Sequence, residues 1–417
     1  MSAPELSRRG LLATLAAAGA AVSGRALAGS EAPPVAAPVA ADDPGLVLGG
    51  PATPTAARSP FEPAMALHPT GQVTGPSHAP IQEFYGSITP TDLQFQRHHA
   101  GVPTIDPARH RLLVHGLVDR PTVFTMAELK RFPTVSRIAF IECSGNGRSA
   151  FRAPKPDVTA QKIAGLTSNL EWTGVRLADV LREAGVRPEA TWLFAEGADA
   201  AHLSRSVTLE AVRDEALLVF AANGEALRPA HGYPLRLLLP GMEANMSIKW
   251  LRRLELRTEP VYSRDETAKY TDPLADGTIR KFSWHVDCNS VITSPSHPDV
   301  LTGPGWWPIT GLAWSGRGKI TRVEVSSDGG ASWSDAELLG PALPKAHVRF
   351  RHQWRWEGGE AVLVSRATDE TGYVQPTMAE FARVRGHGTD YHFNFQKAWR
   401  VGADGAVFFR PEPEAAP

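Results

Sequence analysis

Ile138-Ala139-Phe140-Ile141-Glu142-Cys143-Ser144-Gly145-Asn146-Gly147-Arg148 is the stretch from which the fold of this chain is best read. The apolar run Ile138 to Ile141 has strand length, and Ser144-Gly145-Asn146-Gly147 is a turn signal that ends it. Cys143 is therefore expected at a strand end, beside a Gly-rich turn whose amides can cradle an anion, with Arg148 close in sequence. Such a setting favours a thiolate, which can act as nucleophile, redox thiol or soft metal ligand. Read in isolation, the same cysteine also fits a buried packing residue or half of a Cys143–Cys288 disulfide.

Around this stretch helix and strand signals alternate. Thr125-Met126-Ala127-Glu128 is a capping box that opens a short helix through Leu129 and Phe132, stopped by Pro133. Leu177, Val180, Leu181 and Ala184 recur at helical spacing, with Gly185 where a C-terminal cap belongs. Leu235 to Leu239 reads as a buried strand. Together these describe a mixed α+β domain over residues 80–275. After Ser290 the pattern changes to strands and turns: Ile309–Trp314, Ile320–Ser326, His347–Trp356 and Ala361–Thr368, with Asp328-Gly329-Gly330 as a hairpin turn. No helix-length period intervenes, so residues 290–417 are expected to form an immunoglobulin-like β-sandwich.

The chain has 417 residues, 42% of them hydrophobic, enough for more than one core. Lys and Arg (43) balance Asp and Glu (44) with no basic tract, which argues against a nucleic-acid partner. Two cysteines exclude a Cys-rich zinc module, a four-cysteine iron–sulfur site and a C-x-x-C-H haem attachment. Ser7-Arg8-Arg9-Gly10-Leu11-Leu12, an apolar stretch to Val22 and Ala26-Leu27-Ala28 read as a signal peptide over residues 1–28. Its apolar run is shorter than the roughly 20 residues a membrane span needs. The paired arginines resemble a twin-arginine export signal, which carries folded proteins, so a periplasmic location is expected. Residues 29–79, rich in Ala and Pro with no apolar period up to about Pro63, are expected to form a linker.

Four further segments carry polar chemistry. Arg97-His98-His99 precedes an X-Pro boundary, and one arginine fixes an oxyanion well; adjacent histidines on extended chain point apart and make a poor metal pair. His231-Gly232-Tyr233-Pro234-Leu235-Arg236 and Ser247-Ile248-Lys249-Trp250-Leu251 place cations beside expected strands, and Glu196-Gly197-Ala198-Asp199 is a turn. Each taken alone is also an ordinary surface segment.

In this order the segments resemble the sulfite oxidase family of molybdenum enzymes: an Arg-x-His loop, a Cys-x-Gly-Asn turn, a Glu-Gly-x-Asp turn, a His-Gly-Tyr-Pro-x-Arg segment and an Ile-Lys-Trp-Leu segment, followed by an immunoglobulin-like domain. The resemblance covers about residues 80–417 and is strongest to the sulfane dehydrogenase branch, through Arg97 to Pro107, Glu142 to Asn146 and Ser290-Val291-Ile292-Thr293. It implies a molybdenum–molybdopterin cofactor (Moco) with Cys143 as the protein thiolate on the metal, and Phe95, Gln96, Arg97, His98, His99, Asp199, His231, Arg236, Ser247, Ile248 and Lys249 as the residues that hold the pterin and its phosphate. It further implies Arg97 and Arg148 at the oxyanion substrate, Trp172 as an aromatic wall of the pocket, and Arg351 reaching in from the second domain.

The resemblance implies oxidation of a sulfur substrate by oxygen-atom transfer from water. With no haem or flavin motif on the chain, it implies a cytochrome c subunit as electron acceptor, a sulfur-carrier protein as substrate, and a homodimer within a heterotetramer. One departure stands out: the family tyrosine is missing from Ala201-His202-Leu203-Ser204-Arg205-Ser206, where Leu203 aligns best. Loss of that hydroxyl implies a wider pocket suited to carrier-bound sulfane sulfur rather than free sulfite, with His202 or Arg205 as partial substitutes for its polar role. A sulfite dehydrogenase, a reductase running oxygen transfer backwards on methionine sulfoxide, and an exported binding protein without metal are the alternatives.

Overall fold

The computed structural model describes residues 48–62 and 65–411. The expected signal peptide and the first part of the expected linker lie outside the described residues. The chain divides into two units, Met1–Pro63 and Ala64–Pro417. In the first, residues 48–62 contain no helix or strand and are exposed.

Residues 66–79, assigned to the linker by composition, are part of this folded unit. Pro76–His78 pairs with Gln96–Arg97, the Ala79 amide donates to the Gly165 carbonyl, and the Gln161 side chain donates to the carbonyls of Ala66 and His78. Proline-rich chain can be ordered when its carbonyls find donors elsewhere in the fold.

The expected strand at Ile138–Ile141 is the buried end of a longer strand, Thr134–Glu142, which pairs with Thr167–Arg176. That pair belongs to an antiparallel sheet continued by Leu217–Ala222, which also pairs with Glu225–Ala226 and Arg236–Leu238. A second sheet runs in the order Thr122–Thr125, Arg111–Gly116, Leu251–Arg257, Trp192–Gly197, Ser204–Thr208, with Arg111–Gly116 parallel to Leu251–Arg257. The helix at Met126–Leu129 has the expected capping box, with the Glu128 amide donating to Thr125 Oγ1 and the Thr125 amide to Glu128. Leu177–Ala184 is a helix that buries Leu177, Val180, Leu181 and Ala184, and Gly185 (φ 72°) closes it in the left-handed region.

The C-terminal half is the expected sandwich. One sheet holds Asn289–Ser294, Gly305–Trp314, Val348–Trp356 and Glu337–Leu339; the other holds Ser334–Asp335, Ile320–Ser326, Ala361–Asp369, Ala398–Val401 and Val407–Arg410. Trp399 donates its indole N–H to the Ile292 carbonyl, and the hydroxyls of Ser290 and Ser365 meet at 2.9 Å, joining the two sheets through the core. One helix departs from the all-strand expectation: Met378–Arg385, opened by a capping box at Thr377 and Glu380. That box is written in the sequence as Thr-x-x-Glu, and it is the signal that locates this helix.

The two halves share a core. Phe140 stacks on His347 with ring centroids 5.7 Å apart, and Trp314 packs on the same histidine at 5.1 Å. The sandwich thus backs the strand that carries Cys143.

Candidate active site

The strand Thr134–Glu142 delivers its C-terminal turn to a cleft lined by Cys143 and Ser144. The Cys143 amide donates to the Leu166 carbonyl and the Asn146 amide to the Cys143 carbonyl, 2.9 and 2.8 Å. Asn146 pins the turn with its side chain, donating to Glu142 Oε1 at 2.7 Å and accepting from the Leu166 amide at 3.0 Å. Gly147 (φ 91°) then turns the chain into Arg148–Arg152; a Cβ there would lie 2.7 Å from Phe393 Cβ, so only glycine fits.

Cys143 and Cys288 are both free, which removes the disulfide reading. The expectation that the turn alone favours a thiolate needs correction: burial pushes the Cys143 thiol up, outweighing the Gly145 amide and the charges of Arg97 and Arg148. A bound cation at Cys143 would favour the thiolate against that burial. Among the described residues no cluster of three or more His, Cys, Asp and Glu is placed to hold a metal. A metal at Cys143 must bring further ligands with it, as a pterin dithiolene does.

The rest of the cleft fits an anion. Arg97, Arg236 and Lys249 line it against one carboxylate, Asp199. Lys249 donates to the carbonyls of Arg97 (3.0 Å) and Ala230 (3.1 Å) and to His98 Nδ1 at 2.9 Å, and its ammonium lies 4.2 Å from the centre of the Trp250 ring. Since an ammonium only donates, His98 Nδ1 accepts, and its Nε2–H donates to Gln96 Oε1 at 3.1 Å. Gln96 therefore orients His98 without lining the cleft. Burial, reinforced by Arg236, pulls Lys249 well below the usual lysine range; burial also brings Arg236 down to about 9. His231 is buried and neither ring nitrogen has a hydrogen-bond partner of ordinary geometry. Clustered cations, Arg236 buried and Arg97 and Lys249 half-buried, and an orphaned imidazole are costly without an anion to receive them, and a pterin phosphate meets that need.

Phe95, His99 and Ser247 also line the cleft. Ser247 accepts from the Leu239 amide through Oγ and from Arg236 Nε through its carbonyl. Ile248 does not line it; buried, it accepts from the Leu237 amide and holds the segment in place. Burial keeps the neighbouring histidines neutral, His98 at about 3 and His99 at about 4.

Three expectations are corrected by side-chain direction. Trp172 is no wall of the cleft: fully buried, it donates to the Ala139 carbonyl and lies 5.4 Å beneath the Arg236 guanidinium, so it supports that arginine from behind. Arg351 does not reach the site, because it sits on the sandwich paired with Glu337 at 2.7 Å. Arg148 does not line the cleft; it lies over the Cys143 turn near Gly145 and donates to the Asp390 carbonyl, 5.6 Å from the Tyr391 ring.

A fourth correction concerns the missing hydroxyl. Leu203 lines the cleft, but so does Tyr270, whose hydroxyl is 3.0 Å from His99 Nε2. His202 is turned away to Arg252, and Arg205 stacks on Tyr270 at 4.9 Å while pairing with Glu266. The pocket has thus not lost its phenol. Asn245, which no sequence signal singles out, also lines the cleft, as does Trp250 of the Ile-Lys-Trp-Leu segment.

Residues 99–264 match the family described as oxidoreductase molybdopterin binding domain, and residues 280–397 the Mo-co oxidoreductase dimerisation domain. Sulfite oxidase of Gallus gallus is 31% identical over 330 residues, covering 72% of this chain and 70% of that one. The chain belongs to the sulfite oxidase family. Its cofactor is accordingly the molybdenum pterin that the cleft fits. NADH nitrate reductase of Ulva prolifera is 29% identical over 376 residues, but there the chain spans only 43% of the relative's length. The crystal structure of the sulfane dehydrogenase SoxCD from Paracoccus pantotrophus is matched at 45% identity with a TM-score of 0.84, covering 87% of this chain and 95% of that one. Among the described residues of this family member no helix is long and apolar enough to cross a membrane.

Proposed function

We propose that the protein is the molybdenum subunit of a sulfane dehydrogenase, oxidising sulfane sulfur held on a carrier protein and passing electrons to a cytochrome c subunit. The observation that carries this reading is Cys143 at the wall of a cation-lined cleft, in a chain 45% identical to a sulfane dehydrogenase structure over most of its length. When bound, the molybdenum cofactor supplies oxygen-atom transfer and takes up two electrons per oxygen. In each round the sulfur gains one oxygen from water, two electrons go to the separate acceptor and two protons leave. Cys143 supplies the protein thiolate, and Arg236, Lys249 and His231 receive the pterin's anionic end. Arg97 stabilises negative charge as it develops on the oxidised sulfur, in a cleft of low dielectric. The site of action is the periplasm, reached by twin-arginine export, and the dimerisation domain makes a homodimer within a heterotetramer.

A second reading, oxidation of free sulfite, is favoured by Tyr270, which removes the argument that the cleft lacks a phenol. Steady-state cytochrome reduction by the protein with its cytochrome subunit separates the two. A larger kcat/KM for the persulfidated carrier than for sulfite supports the first reading, and the reverse supports the second.

A further inference from the structure

Cations rim the mouth of the cleft as well as lining its interior. Arg264 and Lys269 stand exposed on the connector that follows Leu251–Arg257, at the start of the short helix Arg264–Thr267 and just beyond its end. The same stretch is held against the cleft wall by its acids. The amide of Ser204, next to the lining residue Leu203, donates to Asp265 at 3.3 Å, and buried Glu266 accepts from Arg205 at 3.0 Å. The acids of the helix are thus engaged by the wall, and its cations are left to solvent. Among the described residues neither Arg264 nor Lys269 has a carboxylate partner. Their charges bear on the imidazole of His99, which lines the cleft.

The rim continues over the Cys143 turn. The Tyr391 ring packs 5.4 Å from that of Tyr270, the Arg148 guanidinium lies 5.6 Å from Tyr391, and the exposed Arg148 and Arg152 share one carboxylate, Asp390. Beside these charges lies an apolar pair. Val102, in the loop that runs on from His99, is 42% exposed, and Val73, whose carbonyl accepts from the Gly101 amide at 3.0 Å, is 70% exposed.

Exposed, unpaired cations contribute little to the stability of a fold; what they change is the potential outside it, which steers and orients an acidic surface. A small anion has Arg97, Arg236 and Lys249 inside the cleft to attract it. A sulfur held on a protein is different, because reaching Cys143 within the cleft brings that protein's surface against the rim.

We propose that Arg264 and Lys269, together with Arg148 and Arg152, dock an acidic face of the protein that carries the substrate sulfur, with Val73 and Val102 taking the apolar part of the contact. The proposal rests on the carrier-bound substrate reading above and adds where the carrier sits and what chemistry its docking face has.

The test is the double variant Arg264→Glu/Lys269→Glu in the full-length protein with its cofactor and cytochrome subunit, assayed with the persulfidated carrier and with sulfite. Molybdenum content and Tm are expected to match wild type, since neither side chain has an ion pair to lose. At low ionic strength KM for the carrier is expected to rise about 10-fold with kcat unchanged, and its dependence on salt to flatten. Equilibrium binding of the carrier, measured by calorimetry, is expected to weaken by the same factor. KM for sulfite is expected to change by less than about 3-fold, because a small ion meets the cations within the cleft. Unchanged carrier affinity and KM overturn the proposal while the carrier reading stands. An equal rise in KM for both substrates overturns it by assigning the rim to general anion attraction, and loss of the cytochrome subunit in sedimentation overturns it by assigning the rim to the electron acceptor. A wild type that neither binds nor oxidises the carrier defeats the functional reading, and the proposal with it.

Discussion

Trp314 donates its indole N–H to Glu142 Oε2 across 2.7 Å, so a residue of the sandwich holds the residue that precedes Cys143. Glu142 is buried, and burial brings it up to about 7 despite the donors Asn146 and Trp314. Trp314→Phe removes the donor together with the pyrrole half of a fully buried indole. We expect a loss of about 2 kcal/mol in unfolding free energy by denaturant titration, with lower molybdenum content as the turn loosens.

Cys143→Ser replaces a soft thiolate by a hard hydroxyl at the same size. Turnover is expected to vanish while Tm and circular dichroism stay near wild type. Elemental analysis of the wild type, made in a host that produces the cofactor, is expected to find one molybdenum per chain; a molybdenum-free wild type would defeat the assignment.

Lys249→Met removes a half-buried cation whose desolvation is costly when no anion is present. The cofactor-free variant is expected to be at least as stable as cofactor-free wild type. Pterin content after co-expression is expected to fall several-fold, because the phosphate loses its ammonium partner.

The buried histidines make the protein acid-sensitive. His347, held by Thr167 at 2.9 Å and packed on Phe140 and Trp314, is brought down to about 3 by burial, and His231 likewise to about 3. A folded-state value below the unfolded value near 6.5 means that the unfolded chain binds more protons. Stability is therefore full above pH 6.5 and is lost as pH falls toward 3, by about 1.4 kcal/mol per pH unit for each such histidine. His347→Gln is expected to make the decline between pH 6 and 4 shallower by that amount, measured by denaturant titration at each pH.

Arg8 and Arg9 lie outside the described residues, and their role is tested by export. Replacing both by Lys is expected to leave cofactor-loaded protein in the cytoplasm. Periplasmic activity at the wild-type level from that variant counts against the twin-arginine route.

The sequence by itself determined what depends on neighbours along the chain. The strand ending at Glu142, the Gly147 turn, the capping box at Thr125, the helix Leu177–Ala184 with its Gly185 cap and the strands of the sandwich all rest on periodicity and local turn chemistry, which a single stretch displays. The helix Met378–Arg385 was open to the same reading through its Thr377 capping box. The resemblance of the ordered polar segments to the sulfite oxidase family implied most of the cleft residues, which no one segment shows by its own local chemistry.

Tertiary structure decided where the side chains point. Trp172 and Arg236 are far apart in sequence, and only their packing shows that the ring supports the arginine instead of facing the cleft. Residues 66–79 look like linker by composition, yet carbonyl acceptors met by Gln161 make them part of the fold. Burial, a property of the whole fold, raised the Cys143 thiol against the charges its sequence neighbours provide. Tyr270 shows the limit best: a tyrosine in a connector without periodicity gives no local sign of function, and only long-range contacts to His99, Arg205 and Tyr391 carry its hydroxyl to the wall of the cleft.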